Sequence, residues 1–212
     1  MAEDYMTSRM VPLTDGVLSI AMTLLVLDVH LPGEIAGLSD GELWKQLIDI
    51  WPHIFSYVLS FLVIAVLWIS HVQKFRHLKR MTGLMVWLNI LFLLGVSIVP
   101  FTTALLAENG NAASTAIYAL GMAFASLMLG LMSVHVRISR LQDAGVTPGH
   151  MRAVSILQFG TAIIFVASAG LAFLNQDWAK DLWFLLIPLN FVRDRRNRHD
   201  SVQLEAHPHG QD

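Results

Sequence analysis

From Arg9 to Asp28 the chain reads RMVPLTDGVLSIAMTLLVLD. The apolar stretch that begins at Pro12 and runs to Leu31 has the length of roughly 20 residues that a helix needs to cross a hydrocarbon core about 30 Å thick. Two acids interrupt it, Asp15 one turn in and Asp28 near the far end. The rest of the 212-residue chain continues in the same vein, with 55% hydrophobic and only 14% charged residues, where soluble domains carry about 25% charged. The bilayer is the main solvent of such a sequence. The N-terminal MAEDYMTSR is acidic and lacks the basic region and small-residue cleavage site of a signal peptide, so the first span is expected to remain in the mature protein. Absence of cysteine removes disulfides and thiolate metal sites.

Six apolar segments stand out: Pro12 to Leu31, Ile50 to Ser70, Met81 to Ala107, Ser114 to Val136, Ala153 to Leu174, and the shorter Trp178 to Val192. Polar connections separate them, including PGEIAGLSDGE, QKFRHLKR, ENGNAA and LQDAGVTPGH. The fold class read from this pattern is all-α, a polytopic membrane protein with six transmembrane helices. Basic residues place its ends, because Lys and Arg flanking spans stay cytoplasmic. Arg9, the group Lys74, Arg76, Lys79 and Arg80, the group Arg137, Arg140 and Arg152, and Arg193 to Arg198 fall on one side, 12 of the 14 in all; Lys45 and Lys180 fall on the other. Only an even number of spans gives that asymmetry, with both termini cytoplasmic and the protein in the cell membrane. Residues 1–198 then form one transmembrane domain, and 199–212 a polar tail expected to be disordered. Arg193 to Arg198 suit contact with anionic membrane lipids; His207 and His209 are too thin a cluster for a metal site. Acidic residues in the opposite loops, among them Glu34, Asp40, Glu42, Asp49 and Glu108, are either solvated or concentrate cations at an outer mouth.

An ionisable side chain within a span is costly and is a functional candidate by default. At about 100° per residue, Leu24 and Leu27 fall within about 40° of Ile20, one on either side, Leu13 and Leu31 share the stripe, and Thr23 borders it. Asp15 lies about 140° away from Ile20, toward neighbouring helices. Such a stripe serves lipid contact and helix packing as readily as a pore. Arg9, Thr14, Asp15, His71, Asn89 and Thr102 or Thr103 are more polar residues than inert packing needs. Trp68 and Trp87 read as interface anchors or core wedges, His53 and His71 as hydrogen-bonded rather than gating. Ala119 with Ala123, Gly121 with Ala125 and Ser126 with Gly130 have the spacing for close helix packing. Phosphate-binding loops, zinc helices, nucleophile elbows and basic stripes with stacking aromatics are all missing from the sequence, so neither an enzyme nor a nucleic-acid binder is supported.

Arg9, followed after three further residues by Leu13-Thr14-Asp15, resembles the Arg-x-x-x-Phe-Ser-Asp signature of the TMEM175 family of potassium channels, with Leu and Thr in place of Phe and Ser. The similarity continues through Trp68 and His71, where Val72 replaces a second His, and through WLNILFLLGVSIVPFTTALL from Trp87 to Leu106. The resemblance implies a homotetramer of six-span subunits with the first helix of each lining a central pore. It implies a filter of stacked aliphatic rings at Ile20, Leu24 and Leu27, with Ile20 narrowest and Thr23 as a hydroxyl layer. It implies further that Arg9 and Asp15, with Thr14 beside them, join Trp68, His71 and Asn89 in a structural polar network bracing the pore helices. The expected activity is modestly selective conduction of potassium over sodium; the permeant ion is the sole ligand, no cofactor or metal is needed, and monovalent cations, membrane lipids and further copies of the chain are the partners. Two alternatives come from other classes: a proton-coupled secondary transporter using Asp15 and His71 as a relay, though no internal repeat of the kind such transporters carry is evident, and a nonconducting membrane scaffold.

Overall fold

The computed structural model describes residues 2–31, 33, 37–76, 78–142 and 148–185. The sixth apolar segment beyond residue 185, the basic cluster Arg193 to Arg198 and the tail 199–212 with its two histidines lie outside the described residues. Every regular element within them is helical: α1 (Ala2–Leu24) running into a 3-10 segment (Leu25–Asp28), α2 (Asp40–Asp49), α3 (Trp51–Arg76), α4 (Gly83–Ser97), α5 (Val99–Asn109), α6 (Ala112–Ile138), α7 (Pro148–Leu171), α8 (Gln176–Asp181) and a 3-10 turn (Leu182–Leu185). Four stretches among them are long and apolar enough to cross a membrane: Ser8–Asp28, Trp51–Arg76, Gly83–Asn109 and Ala112–Ile138, with a shorter apolar helix over Ser155–Leu171. This is a multi-pass, all-helical membrane protein.

Several boundaries differ from those expected. The first helix starts at Ala2 and carries Pro12 inside it; the ring removes one backbone bond but sits on the exposed side, where the missing donor matters least. The third segment is broken at Ile98, because Pro100 has no N–H to offer the carbonyl of Val96, which instead accepts from Ile98. The connection after the first span is not wholly a loop. Ser39 caps α2 by accepting from Glu42 N–H, while its own N–H and hydroxyl donate to the Glu42 carboxylate at 2.8 and 2.7 Å. Those bonds hold the Glu42 carboxyl below its ordinary range. Since a depressed acid favours the folded form only while ionised, the cap is at full strength above the unfolded glutamate pKa. Its contribution is lost as the pH falls through the lowered folded value.

At the centre of the bundle stands α6, flanked by α7 on one side and by α4 and α5 on the other, with α1 and α3 beyond them. The α3–α4 and α6–α7 connections meet at one end, where Leu78 pairs with Gln142 and Lys79 N–H donates to the Leu141 carbonyl at 2.8 Å. At the other end Lys180 Nζ donates to Gly110 O at 3.1 Å. The largest core side chain is Trp183, from the weakest of the six apolar segments. Its indole donates to Ser168 Oγ at 2.9 Å and its ring lies 5.0 Å from that of Tyr118. Neither Trp68 nor Trp87 is a core wedge; both are exposed. Small residues do mark close crossings: Ala125 and Gly130, which the spacing singled out, lie at two of them, the second against Phe159 of α7 at 3.3 Å from an added Cβ, and Gly95, which it did not, faces Ala125. A Cβ added to Gly95 of α4 would stand 2.9 Å from Phe124 and 3.3 Å from the Ala125 Cβ of α6, whereas one on Gly121 would meet nothing.

Lys74 departs most from expectation. Counted among the solvated basic residues of a loop, it lies in the last turns of α3 and is buried between α6 and α7. Its ammonium donates to the Leu129 carbonyl and, at 3.5 Å, to Gln158 Oε1, which also accepts from Ser133 at 2.8 Å. Both partners are neutral, so the charge is desolvated without a counter-charge from either. Two expectations follow, both read as melting temperature of the purified protein in detergent. Gly95→Val overpacks the α4–α6 crossing and lowers stability by about 1–3 kcal/mol, while Gly121→Ala leaves it unchanged. Lys74→Met, of similar length but apolar, leaves melting unchanged or raises it, because the desolvation cost disappears while the packing stays.

Candidate functional site

The two faces of α1 have opposite fates. Thr14, Leu18, Ala21 and Leu25, spaced four, three and four residues apart, are buried against the subunit. Ile20, Leu24 and Leu27 are between 43% and 70% exposed, and Leu13 joins them; Leu18 and Leu25 are both at 0%. Thr23 is exposed on the same side, with its hydroxyl donating to the Ile20 carbonyl at 2.9 Å. The change to 3-10 geometry at Leu25 matters here. In a 3-10 helix positions three apart eclipse, so Leu27 sits in line with Leu24 instead of drifting round the helix. Of the four long spans, Ser8–Asp28 is the least covered, with 28% of its apolar window buried against 61% for Ala112–Ile138.

What fixes the rotation of α1 is polar. Asn89 of α4, fully buried, donates through Nδ2 to Thr14 Oγ1 at 2.9 Å. Thr14 in turn donates to the Met10 carbonyl at 2.9 Å, and Asn89 Oδ1 lies 2.9 Å from His71 Nε2 of α3. One amide thereby joins three helices. For His71 to donate there its proton must reside on Nε2, which leaves Nδ1, a buried atom with no partner among the described residues. The ring is clamped between Phe75, at a centroid distance of 4.0 Å, and Phe92, at 5.7 Å. A second tie stands apart from the first: Trp68 Nε1 donates to Asp15 Oδ1 at 2.8 Å. Asp15 therefore turns to α3, away from the aliphatic stripe. Arg9 is exposed near the start of the helix.

The sequence-singled residues thus separate into a stripe, a three-helix link (Thr14, Asn89, His71) and a two-helix link (Asp15, Trp68). The sequence reading flagged Thr103 as one of two alternatives and missed its partners: Thr103 Oγ1 lies 2.8 Å from Ser60 Oγ, and Ser60 donates to the Tyr118 hydroxyl at 3.1 Å, all three buried. Thr102 takes no part, donating only to the Val99 carbonyl. A lone Ser in an apolar helix carries no pattern that reveals its partner. No group of three or more His, Asp or Glu suited to a metal occurs among the described residues. Asn89→Leu strands both Thr14 and His71 in a dry interior and is expected to cost about 1–3 kcal/mol. Trp68→Phe, losing one half-exposed bond, costs about 1 kcal/mol or less. Melting of the two purified variants side by side checks the order.

Comparison with known proteins places this geometry. The profile of the family described as endosomal/lysosomal potassium channel TMEM175 matches residues 9–100, which hold the stripe and both polar links. A potassium channel of Streptomyces collinus is 34% identical over 175 residues, 80% of this chain and 84% of that one. A potassium channel of Chamaesiphon minutus is 38% identical over 106 residues, 50% of this chain and 52% of that one. The crystal structure of a lysosomal potassium-selective channel TMEM175 homolog from Chamaesiphon minutus superposes with a TM-score of 0.76 at 25% identity, covering 89% of this chain and 98% of that one. With the same helices in the same arrangement and sequence identity along most of its length, the chain belongs to the TMEM175 family.

Proposed function

We propose that this protein is a potassium channel in which four copies gather with α1 of each around a common axis, so that Ile20, Leu24 and Leu27 form successive aliphatic rings. The observation that carries this reading is the exposed aliphatic stripe of α1, set opposite a face pinned by buried hydrogen bonds. The named activities of the Streptomyces collinus and Chamaesiphon minutus relatives support potassium as the permeant ion. Each subunit contributes six spans, with both termini in the cytoplasm of a cell whose plasma membrane holds the channel.

An aliphatic ring has no oxygen to offer a cation. Passage therefore rests on pore radius, on wetting of the constriction and on the cost of stripping part of the hydration shell. Potassium holds its water less tightly than sodium and passes at lower cost, which gives a modest preference. Thr23 contributes the one hydroxyl at this level; its proton is committed to the Ile20 carbonyl, leaving lone pairs for the ion. Thr14, Asp15, Trp68, His71 and Asn89, with Arg9 at the start of the helix, act as a brace that sets the rotation of α1 and do not touch the ion. Carboxylates at the opposite end from the basic connections raise the local cation concentration.

Reconstitution in liposomes tests the reading. Purified protein is expected to carry potassium with a reversal potential that favours it over sodium. Ile20→Ala widens the narrowest ring and is expected to raise conductance and erode the preference. Absence of potassium flux, or an Ile20→Ala variant identical to wild type in both properties, would sink the assignment; flux that saturates and follows the proton gradient would mark a transporter instead.

A further inference from the structure

The ten residues of α2 lie between α1 and α3, at the end of the bundle away from the basic connections. None of its side chains is buried in the subunit. Isolated helices shorter than about 12–15 residues are marginal in water, and one capping box is a small counterweight, so the helix needs a surface to lie on. Its sides are chemically distinct. Leu43, Gln46 and Leu47 are half-buried and turn to the bundle. Glu42, Lys45 and Asp49 share a charged side, and about 110° round the helix from its centre Trp44 and Ile48 project together. These two and Trp51, the first residue of α3, are between 62% and 70% exposed. From Trp51 the apolar surface continues along α3 through Val58, Leu62 and Ile69, spaced seven, four and seven residues apart, all exposed.

We propose that α2 is an interfacial helix whose Trp44–Ile48–Trp51 face lies in the headgroup and upper acyl region of the bilayer, anchoring the segment that follows the 3-10 end of the first span. Four features converge on lipid as the occupant. The helix is joined to two membrane spans, to α3 by a single residue, which holds it at bilayer level. Its apolar face is continuous with the exposed stripe of a spanning helix. Two of the three residues are tryptophans, whose amphipathic rings favour this depth. Glu42, Lys45 and Asp49 point elsewhere, as in helices that lie in the membrane plane, and Asp40, the one acid on the Trp44 side, stands at the N-terminal end of the helix.

The chain contains no cysteine, so each introduced thiol is unique. Spin labels on Trp44→Cys, Lys45→Cys, Ile48→Cys and Asp49→Cys of the full chain, in vesicles of phosphatidylcholine and phosphatidylglycerol, report collision with oxygen and with a water-soluble nickel chelate. The oxygen-to-nickel ratio is expected to be several-fold higher at 44 and 48 than at 45 and 49. Trp44→Phe gives a reading that keeps the apolar face: the emission it removes is expected to be quenched by lipids brominated near the headgroup more than by aqueous acrylamide. Equal nickel access at all four sites, or acrylamide quenching that exceeds bromolipid quenching, would overturn the proposal in favour of a solvated helix. Spin-spin broadening or disulfide formation between copies through Ile48→Cys would overturn it in favour of a subunit contact. None of these readings depends on ion flux, so they stand apart from the test of conduction.

Discussion

Asn89 is the side chain on which the arrangement turns. Within a membrane no water is available to satisfy a buried amide, so an asparagine placed among apolar helices must find its partners in protein. It finds Thr14 on α1 with its nitrogen and His71 on α3 with its oxygen, and the three helices can take only the relative rotations that keep both bonds. Apolar packing alone would not supply that restriction, because one aliphatic face of α1 slides against lipid or protein about as well as another. The hydrogen bonds select Thr14, Leu18, Ala21 and Leu25 for the inside. By exclusion they deliver Ile20, Leu24 and Leu27 to the outside.

Much of this was legible in the sequence, for a physical reason. A bilayer imposes a length on every span and exacts a high cost for charge within it, so span positions, the odd polar residues and the stripe on α1 follow from composition and helical period. The wheel placed Asp15 away from Ile20 because the period of an α-helix is fixed, and in the structure Asp15 faces α3. The pairing of Asn89 with Thr14 was not readable from the spans themselves, since residues 75 apart in sequence share no local pattern. Family resemblance supplied the grouping, and the structure divided it into two separate links.

Three failures of the sequence reading share one cause, burial that depends on a partner remote in sequence, and a fourth has another. Lys74 looks like its neighbours Arg76, Lys79 and Arg80, yet helical phase turns it inward while the flanking charges reach solvent. Trp183, which the sequence reading did not single out within the shortest apolar segment, fills the space between Tyr118 and Phe165. Gly95 carries no signal until Phe124 and Ala125 are seen to press on it. The helix of α2 was hidden by its polar composition, because a capping box and a narrow apolar face do not raise hydropathy.

The 3-10 segment that closes the first span has a metrical effect. Four α-helical residues separate Ile20 from Leu24, a rise of about 6 Å at 1.5 Å per residue. Three residues separate Leu24 from Leu27, and at the steeper 3-10 rise of roughly 2.0 Å they also span about 6 Å. A continuous α-helix would compress that second interval to about 4.5 Å and turn Leu27 about 60° from Leu24, to the other side of Ile20. The winding change therefore evens the spacing: the three aliphatic side chains stand about equally far apart along the exposed face of the helix, with no long interval followed by a short one.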